Sequence, residues 1–160
     1  MRHFDTLNEL IDHVGTEVAI SDWLVIDQSR IDRFADATGD HAWIHVDPDR
    51  AAGGPFGVPV AHGFLTLSLI PLFAASAMHI ADVVTGVNYG LNRVRFASPV
   101  PVNSRLRARF TLTSFDMLPE TPTQRGAQAV WAITIETDGA GKPACLAEFI
   151  SRYGCDPART

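Results

Sequence analysis

The sequence predicts an α+β protein in which a long apolar helix packs against a curved antiparallel sheet. Three observations carry this reading. Residues 64–78 contain no charged side chain; the run is too short to cross a bilayer and includes Pro71, so it reads as a buried helix. Four long strand candidates follow, at 84–96, 104–117, 127–137 and 144–153, separated by breaks rich in Pro, Gly or Asp. Two of these alternate. Leu106, Ala108, Phe110 and Leu112 share one face while Arg105, Arg107, Arg109 and Thr111 share the other, and Trp131, Ile133 and Ile135 oppose Gln128, Thr134 and Glu136. Amphipathic strands in series imply an antiparallel meander with one covered face.

The elements ahead of the sheet follow from local signals. Thr6 and Glu9 have capping-box spacing, and Leu7, Leu10, Ile11 and Val14 recur at helical period before Gly15, which predicts a short helix. Residues 18–26 are apolar and β-branched and read as a strand. Asp27 can cap a second helix with the stripe Ile31, Phe34, Ala35 and Ala37, closed by Gly39. Asp47-Pro48 opens one further turn that ends near Gly53-Gly54. The stretch GGPFGVPVA at 53–61 is a loop, and the apolar helix runs over 63–77, long enough to need covering on nearly all sides. No linker divides the chain, so 1–160 is expected to form one domain.

Composition narrows the function. A net charge of −5 offers no basic field for nucleic acid and no attraction to an anionic membrane. The first fifteen residues lack the apolar core of a signal peptide, and Cys145 and Cys155 form neither a zinc cluster nor a disulfide framework. A cytoplasmic protein with free thiols is expected. No Gly-rich dinucleotide loop and no HExxH pattern is present, so neither a redox cofactor nor a metal is expected.

The segment with chemistry is 34–73. Asp40 follows the helix-ending Gly39, and His45 lies five residues on, both in an irregular stretch. A carboxylate and an imidazole have reference pKa values of about 4 and 6.5, so held around one water they offer complementary proton acceptors and donors near neutral pH. Further along, Ala61-His62-Gly63 opens the apolar helix. The first N–H groups of a helix have no internal partners, and glycine lets a ligand carbonyl approach the backbone. Such a donor could polarise a thioester carbonyl.

The pattern Thr38-Gly39-Asp40, Ile44-His45 and His62-Gly63 resembles the MaoC-like family of (R)-specific enoyl-CoA hydratases, which have the hot-dog fold. Asn88-Tyr89-Gly90 through Val94-Arg95-Phe96 to Pro99-Val100 resembles the family's first long strand and the turn after it. The resemblance implies a hydro-lyase of fatty acid metabolism that adds water to a trans-2-enoyl thioester such as an acyl-CoA. It implies that Asp40 and His45 activate the water and that the Gly63 N–H binds the thioester oxygen. It also implies an acyl tunnel along the helix and a homodimer. Two departures stand out. Ala42 and Trp43 replace the usual Asn-Pro, which sets Trp43 beside the pair as a candidate substrate contact, and Asn103-Ser104 replaces a Gly-Asp turn.

Blander readings bear on several of these residues. Asp40 alone could merely cap a turn, but its occurrence with His45 and His62-Gly63 favours the functional reading. His62 reads as a hydrogen-bonding residue at the helix start rather than a second base. The stripe Arg105, Arg107 and Arg109 suits coenzyme A phosphates in principle, yet a solvated outer sheet face accounts for it more simply. A hot-dog thioesterase and a non-catalytic acyl-binding subunit are the alternative functions, because a fold does not dictate an activity.

Overall fold

The structure, a computed structural model, describes residues 1–119 and 125–155. A short strand β1 (Arg2–Phe4) leads into a 3-10 helix (Leu7–His13), at whose start the Thr6 N–H donates to Glu9 Oε1 at 2.9 Å. The expected helix is therefore present in its tighter form. The single strand expected over 18–26 is two, β2 (Glu17–Ile20) and β3 (Leu24–Ile26). The break at 21–23 has a local cause: the Ser21 hydroxyl accepts the Ala108 N–H at 2.8 Å, so a side chain stands where a strand carbonyl would continue the ladder.

Helix α1 (Gln28–Thr38) starts and stops as its residues dictate. Asp27 accepts the Arg30 N–H at 2.8 Å, and Gly39 ends the helix with φ 76°. Next come one-turn α2 (Trp43–Val46) and α3 (Pro48–Ala52), the latter capped by Asp47. The apolar helix divides into α4 (Gly63–Ser68) and α5 (Ile70–Ala77). Pro71 is the cause: it has no N–H to return to the Leu67 carbonyl, so the backbone tightens at Leu69 before regular bonding resumes from Phe73 to Leu69 at 3.0 Å. Nor is this helix enclosed as expected. Leu65, Ile70, Phe73 and Ala77 are buried, but Phe64 is 68% exposed and Leu72 48% exposed.

After β4 (Met78–Ile80), which pairs in parallel with β1, come the four long strands β5 (Val83–Phe96), β6 (Ser104–Met117), β7 (Arg125–Thr137) and β8 (Cys145–Cys155). The turn joining β6 to β7 falls at 120–124, outside the described residues, and the Leu118 N–H bonds to the Gly126 carbonyl beside it. The six-stranded antiparallel sheet has the order β2-β6-β7-β8-β5, with β3 also on β6. The expected meander thus holds for β6, β7 and β8 only. β5 lies at the far edge, because 97–103 crosses the sheet before β6 begins. That crossing ties down the loop ahead of α4: Ala61 N–H bonds to the Val100 carbonyl and Val102 N–H to the Pro59 carbonyl, each at 2.8 Å. Asn103 takes φ 66° in the turn into β6, a left-handed conformation that Asn tolerates and Gly adopts freely.

The inner sheet face presents Leu106, Phe110, Leu112, Trp131, Ile133 and Ile135 to the helix, all buried. The outer face carries the arginine stripe, and each arginine has a carboxylate: Arg105 with Asp138, Arg107 with Glu136 at 2.8 Å, and Arg109 with Glu17 at 2.6 Å. This is the solvated outer face expected, and its ion pairs are a further finding. β5 differs, with exposed Val84, Val87, Tyr89 and Leu91 on a strand whose outer edge has no partner among the described residues.

Candidate active site

The chain ends of three short elements converge at the start of α4. Asp40 follows α1 directly, with its side chain 56% exposed. His45 is not in irregular chain, as expected, but on the single turn α2, which aims its ring inward. There it is buried, and its Nδ1 lies 2.6 Å from the Val60 carbonyl. A carbonyl can only accept, so the proton sits on Nδ1 and Nε2 is left as a bare acceptor. The Gln28 amide holds the same residue from behind, donating to the His45 carbonyl at 2.8 Å. Burial lowers the His45 pKa below 6.5, and the neighbouring His62 imidazole adds to this, while the Val60 bond and Asp40 oppose it. His45 is therefore neutral at neutral pH, as a proton acceptor must be.

His62 occupies the position before α4 but does not cap it. Its Nε2 instead reaches back to the Asp40 carbonyl at 2.9 Å, and its ring stacks on His45 with centroids 3.7 Å apart and planes at 27°. Asp40, His45 and His62 each bring one polar atom within 4.8 Å of the others. The donor types would suit a transition metal. Face-to-face imidazoles, however, send their in-plane lone pairs side by side rather than toward one ion, so the arrangement suits proton handling better.

Gly63 begins α4, and the Thr66 N–H is the first in it to find a carbonyl, that of His62 at 3.1 Å. The Gly63 N–H is thus one of the unsatisfied donors of a helix start. Its lack of a side chain has a cause the sequence does not announce: a Cβ there would lie 2.7 Å from the Phe96 ring. A pocket of about 230 Å³ opens at this point, lined by Ile44, Phe56, Val60, Gly63, Thr66 and Phe96 among others. A separate cleft of about 180 Å³ lies under α5, between Ile70, Ala74 and Trp131, and touches none of Asp40, His45 and Gly63. Trp43 turns toward α3: its ring covers Gly54 and lies under Arg50, whose guanidinium carbon is 4.6 Å from the ring centre. His41 is exposed, with Asp36 at 3.8 Å.

The structure therefore brings Asp40, His45, His62 and Gly63 together and takes Trp43 to a neighbouring turn. Gln28 and Phe96 were not legible as site residues. Both act through long-range contacts, and nothing in their local sequence marks them.

Comparison with known proteins gives the family and the fold. Residues 10–129 match the family model described as MaoC like domain. The 3-hydroxyacyl-thioester dehydratase Z of Mycobacterium tuberculosis is 48% identical over 153 residues, covering 96% of this chain and 99% of that protein. The solved MaoC-like dehydratase from Rhodospirillum rubrum superposes with a TM-score of 0.74 at 18% identity, over 95% of this chain and 98% of that one. The HadBC (3R-hydroxyacyl-ACP dehydratase) complex of Mycobacterium tuberculosis gives 0.59 at 19% identity, over 89% of this chain and 97% of the matched one. The fold is the hot-dog fold.

Proposed function

This chain belongs to the MaoC-like domain family, and on that footing we propose that it interconverts a 3-hydroxyacyl thioester and the corresponding trans-2-enoyl thioester. It is a hydro-lyase. The observation that carries the mechanism is the meeting of the Asp40 carboxylate with a buried, neutral His45 beside the opening of α4.

In hydration, Asp40 accepts one hydrogen bond from the attacking water and His45 Nε2 takes its proton. The hydroxide oxygen bonds to Cβ, the double bond's electrons move to Cα, and the resulting enolate oxygen rests on the Gly63 N–H. The imidazolium then returns its proton to Cα. Its Nδ1–H, held by the Val60 carbonyl at 2.6 Å, keeps the ring oriented throughout. Dehydration reverses each step. The family resemblance assigns the (R) configuration to the product.

The assembly we propose is a homodimer. The open edge of β5 and the exposed apolar face of α4 and α5 both call for cover, and a closed two-fold pair supplies it with one kind of chain. We read 1–160 as one hot-dog unit and place it in the cytoplasm, where free Cys145 and Cys155 stay reduced. Among the described residues no helix is long and apolar enough to cross a membrane.

One assay tests the reaction. A trans-2-enoyl-CoA series of increasing chain length is incubated with the protein in plain buffer. The conjugated absorbance should fall without release of free thiol, and an (R)-specific dehydrogenase should then oxidise the product. Thiol release with conjugation intact would make the protein a thioesterase, and no change at any chain length would make it a non-catalytic subunit.

A further inference from the structure

His62 is 3% exposed, yet the proposed reaction gives it no proton to move. One ring face meets His45 at 3.7 Å, and Phe34 lies 5.0 Å away at a tilt of 53°. Its Nε2 meets the Asp40 carbonyl at 2.9 Å, which requires the proton on Nε2 and leaves Nδ1 bare. That Nδ1 is buried without a hydrogen-bond partner. The Asp40 carboxylate also lies near the ring's other nitrogen, its Oδ2 3.9 Å from Nε2.

Asp40 needs such a holder. Its backbone N–H reaches only the Thr38 hydroxyl at 3.5 Å, and its carboxylate accepts the Ala42 N–H at 3.4 Å. The 2.9 Å bond from His62 is the shortest of those on this residue. The preceding Gly39 is left-handed and gives the chain a swivel immediately before it.

We infer that His62 is a positioning residue, which clamps Asp40 through its backbone carbonyl and carries the His45 ring on its face, so that the two proton-handling groups are held in register. The inference rests on the reaction proposed above but can be tested apart from it. The charged or titratable groups facing His45 are Asp40 and His62, with the Val60 carbonyl and the Gln28 amide supplying neutral contacts.

Two substitutions separate the functions. His62→Phe keeps a ring face and removes the donor, whereas His62→Gln keeps an amide donor and removes the face. With an enoyl-CoA substrate, His62→Phe should lower kcat by about 10²-fold with KM changed little, since a displacement of the order of 1 Å at a reacting group has that effect. His62→Gln should recover a large part of the loss through its donor. In the substrate-free protein, NMR titration of the His45 ring should move to higher pH in both variants. Phe provides a better face for a cation, and Gln loosens the burial. A folded His62→Phe protein with unchanged kcat and an unchanged His45 titration would overturn the inference. So would a kcat loss in both variants that tracks lowered thermal stability alone while the titration stays fixed. If the wild-type protein turned over no enoyl thioester, the functional reading would fail, and the His45 titration would still decide whether His62 sets that ring's environment.

Discussion

Substituting Gly63 by alanine isolates the packing at the helix start from its hydrogen-bond donor. The added Cβ would sit 2.7 Å and 2.8 Å from two carbons of the Phe96 ring, where ordinary contact needs at least 3.4 Å, an overlap of about 0.7 Å. The ring can yield in part, because Phe96 ends β5, is 43% exposed and leans edge-on against the exposed Phe64. Overpacking of this kind costs about 1–3 kcal/mol. For a chain of this length that lowers Tm by roughly 2–12 °C, at about 2–4 °C per kcal/mol. Alanine keeps its N–H, so activity should fall only as far as the helix start is displaced, and a misplaced oxyanion donor costs about 10²-fold in kcat. The decisive measurement is a double-mutant cycle. In a Phe96→Ala background the new methyl has room, so Gly63→Ala should cost much less in Tm and return much of the lost kcat relative to Phe96→Ala. Strict additivity of the two substitutions in thermal melts would refute the packing argument. Relieved stability with no recovery of kcat would refute the link between packing and donor position.

His45→Gln removes the group that moves the proton and Asp40→Asn the charged acceptor that holds the water, both at nearly constant size, so steady-state turnover should fall by about 10²–10⁴-fold in each. For Asp40→Asn thermal stability should hold, since that side chain is largely exposed. Because burial depresses the His45 pKa below 6.5, its neutral form persists to lower pH than an ordinary imidazole, and the acid limb of kcat/KM should lie below 6.5. The same shift sets a sign for stability. As pH falls through 6.5 the unfolded chain binds this proton first, so unfolding becomes easier between 6.5 and the lower folded-state value, which pH-dependent melts can follow. Light scattering at micromolar concentration should give a dimer for the wild type and a monomer for Leu91→Lys. Leu91 is 42% exposed near the middle of β5, where two-fold pairing would bring the added charges close together. A stable wild-type monomer would refute the dimer.

Much of the site was legible in the sequence because its parts are local. Asp27 and Gly39 bracket α1, Asp47 and Pro48 open α3, and these signals place Asp40 and His45 on a fixed frame of short elements. The arginine stripe was legible for the same reason, since alternation alone assigns it to one face. What escaped depends on residues far apart in the chain. The tautomer of His45 is set by Val60, the stack by His62, and the absent side chain of Gly63 by Phe96. Sequence adjacency sets Trp43 beside His45, but not which way its ring points. Two residues apart on a helical turn, the side chains point about 200° apart, and Trp43 accordingly faces α3.

Within one copy the apolar helix is not covered on nearly all sides as expected, for a reason that itself bears on function. Absence of charge over 64–78 reports that water is to be excluded, but not whether the excluding surface belongs to the same chain. Within one copy the sheet covers Leu65, Ile70, Phe73 and Ala77, leaving Phe64 and Leu72 exposed along the opposite side. β5, whose outer edge has no partner among the described residues, carries Val84, Val87, Tyr89 and Leu91, also exposed. A solvated strand would be expected to show the charged alternation of β6, where every outward arginine has a carboxylate. β5 instead exposes these four apolar side chains beside Asn88, Asn92, Arg93 and Arg95. Phe96, at the end of that strand, packs on Gly63 at the start of α4. Pairing along β5 would therefore brace the strand that shapes the position of the proposed oxyanion donor. In the homodimer proposed here, assembly and catalysis are mechanically joined at Phe96, so dissociation by Leu91→Lys should lower kcat as well as change the mass.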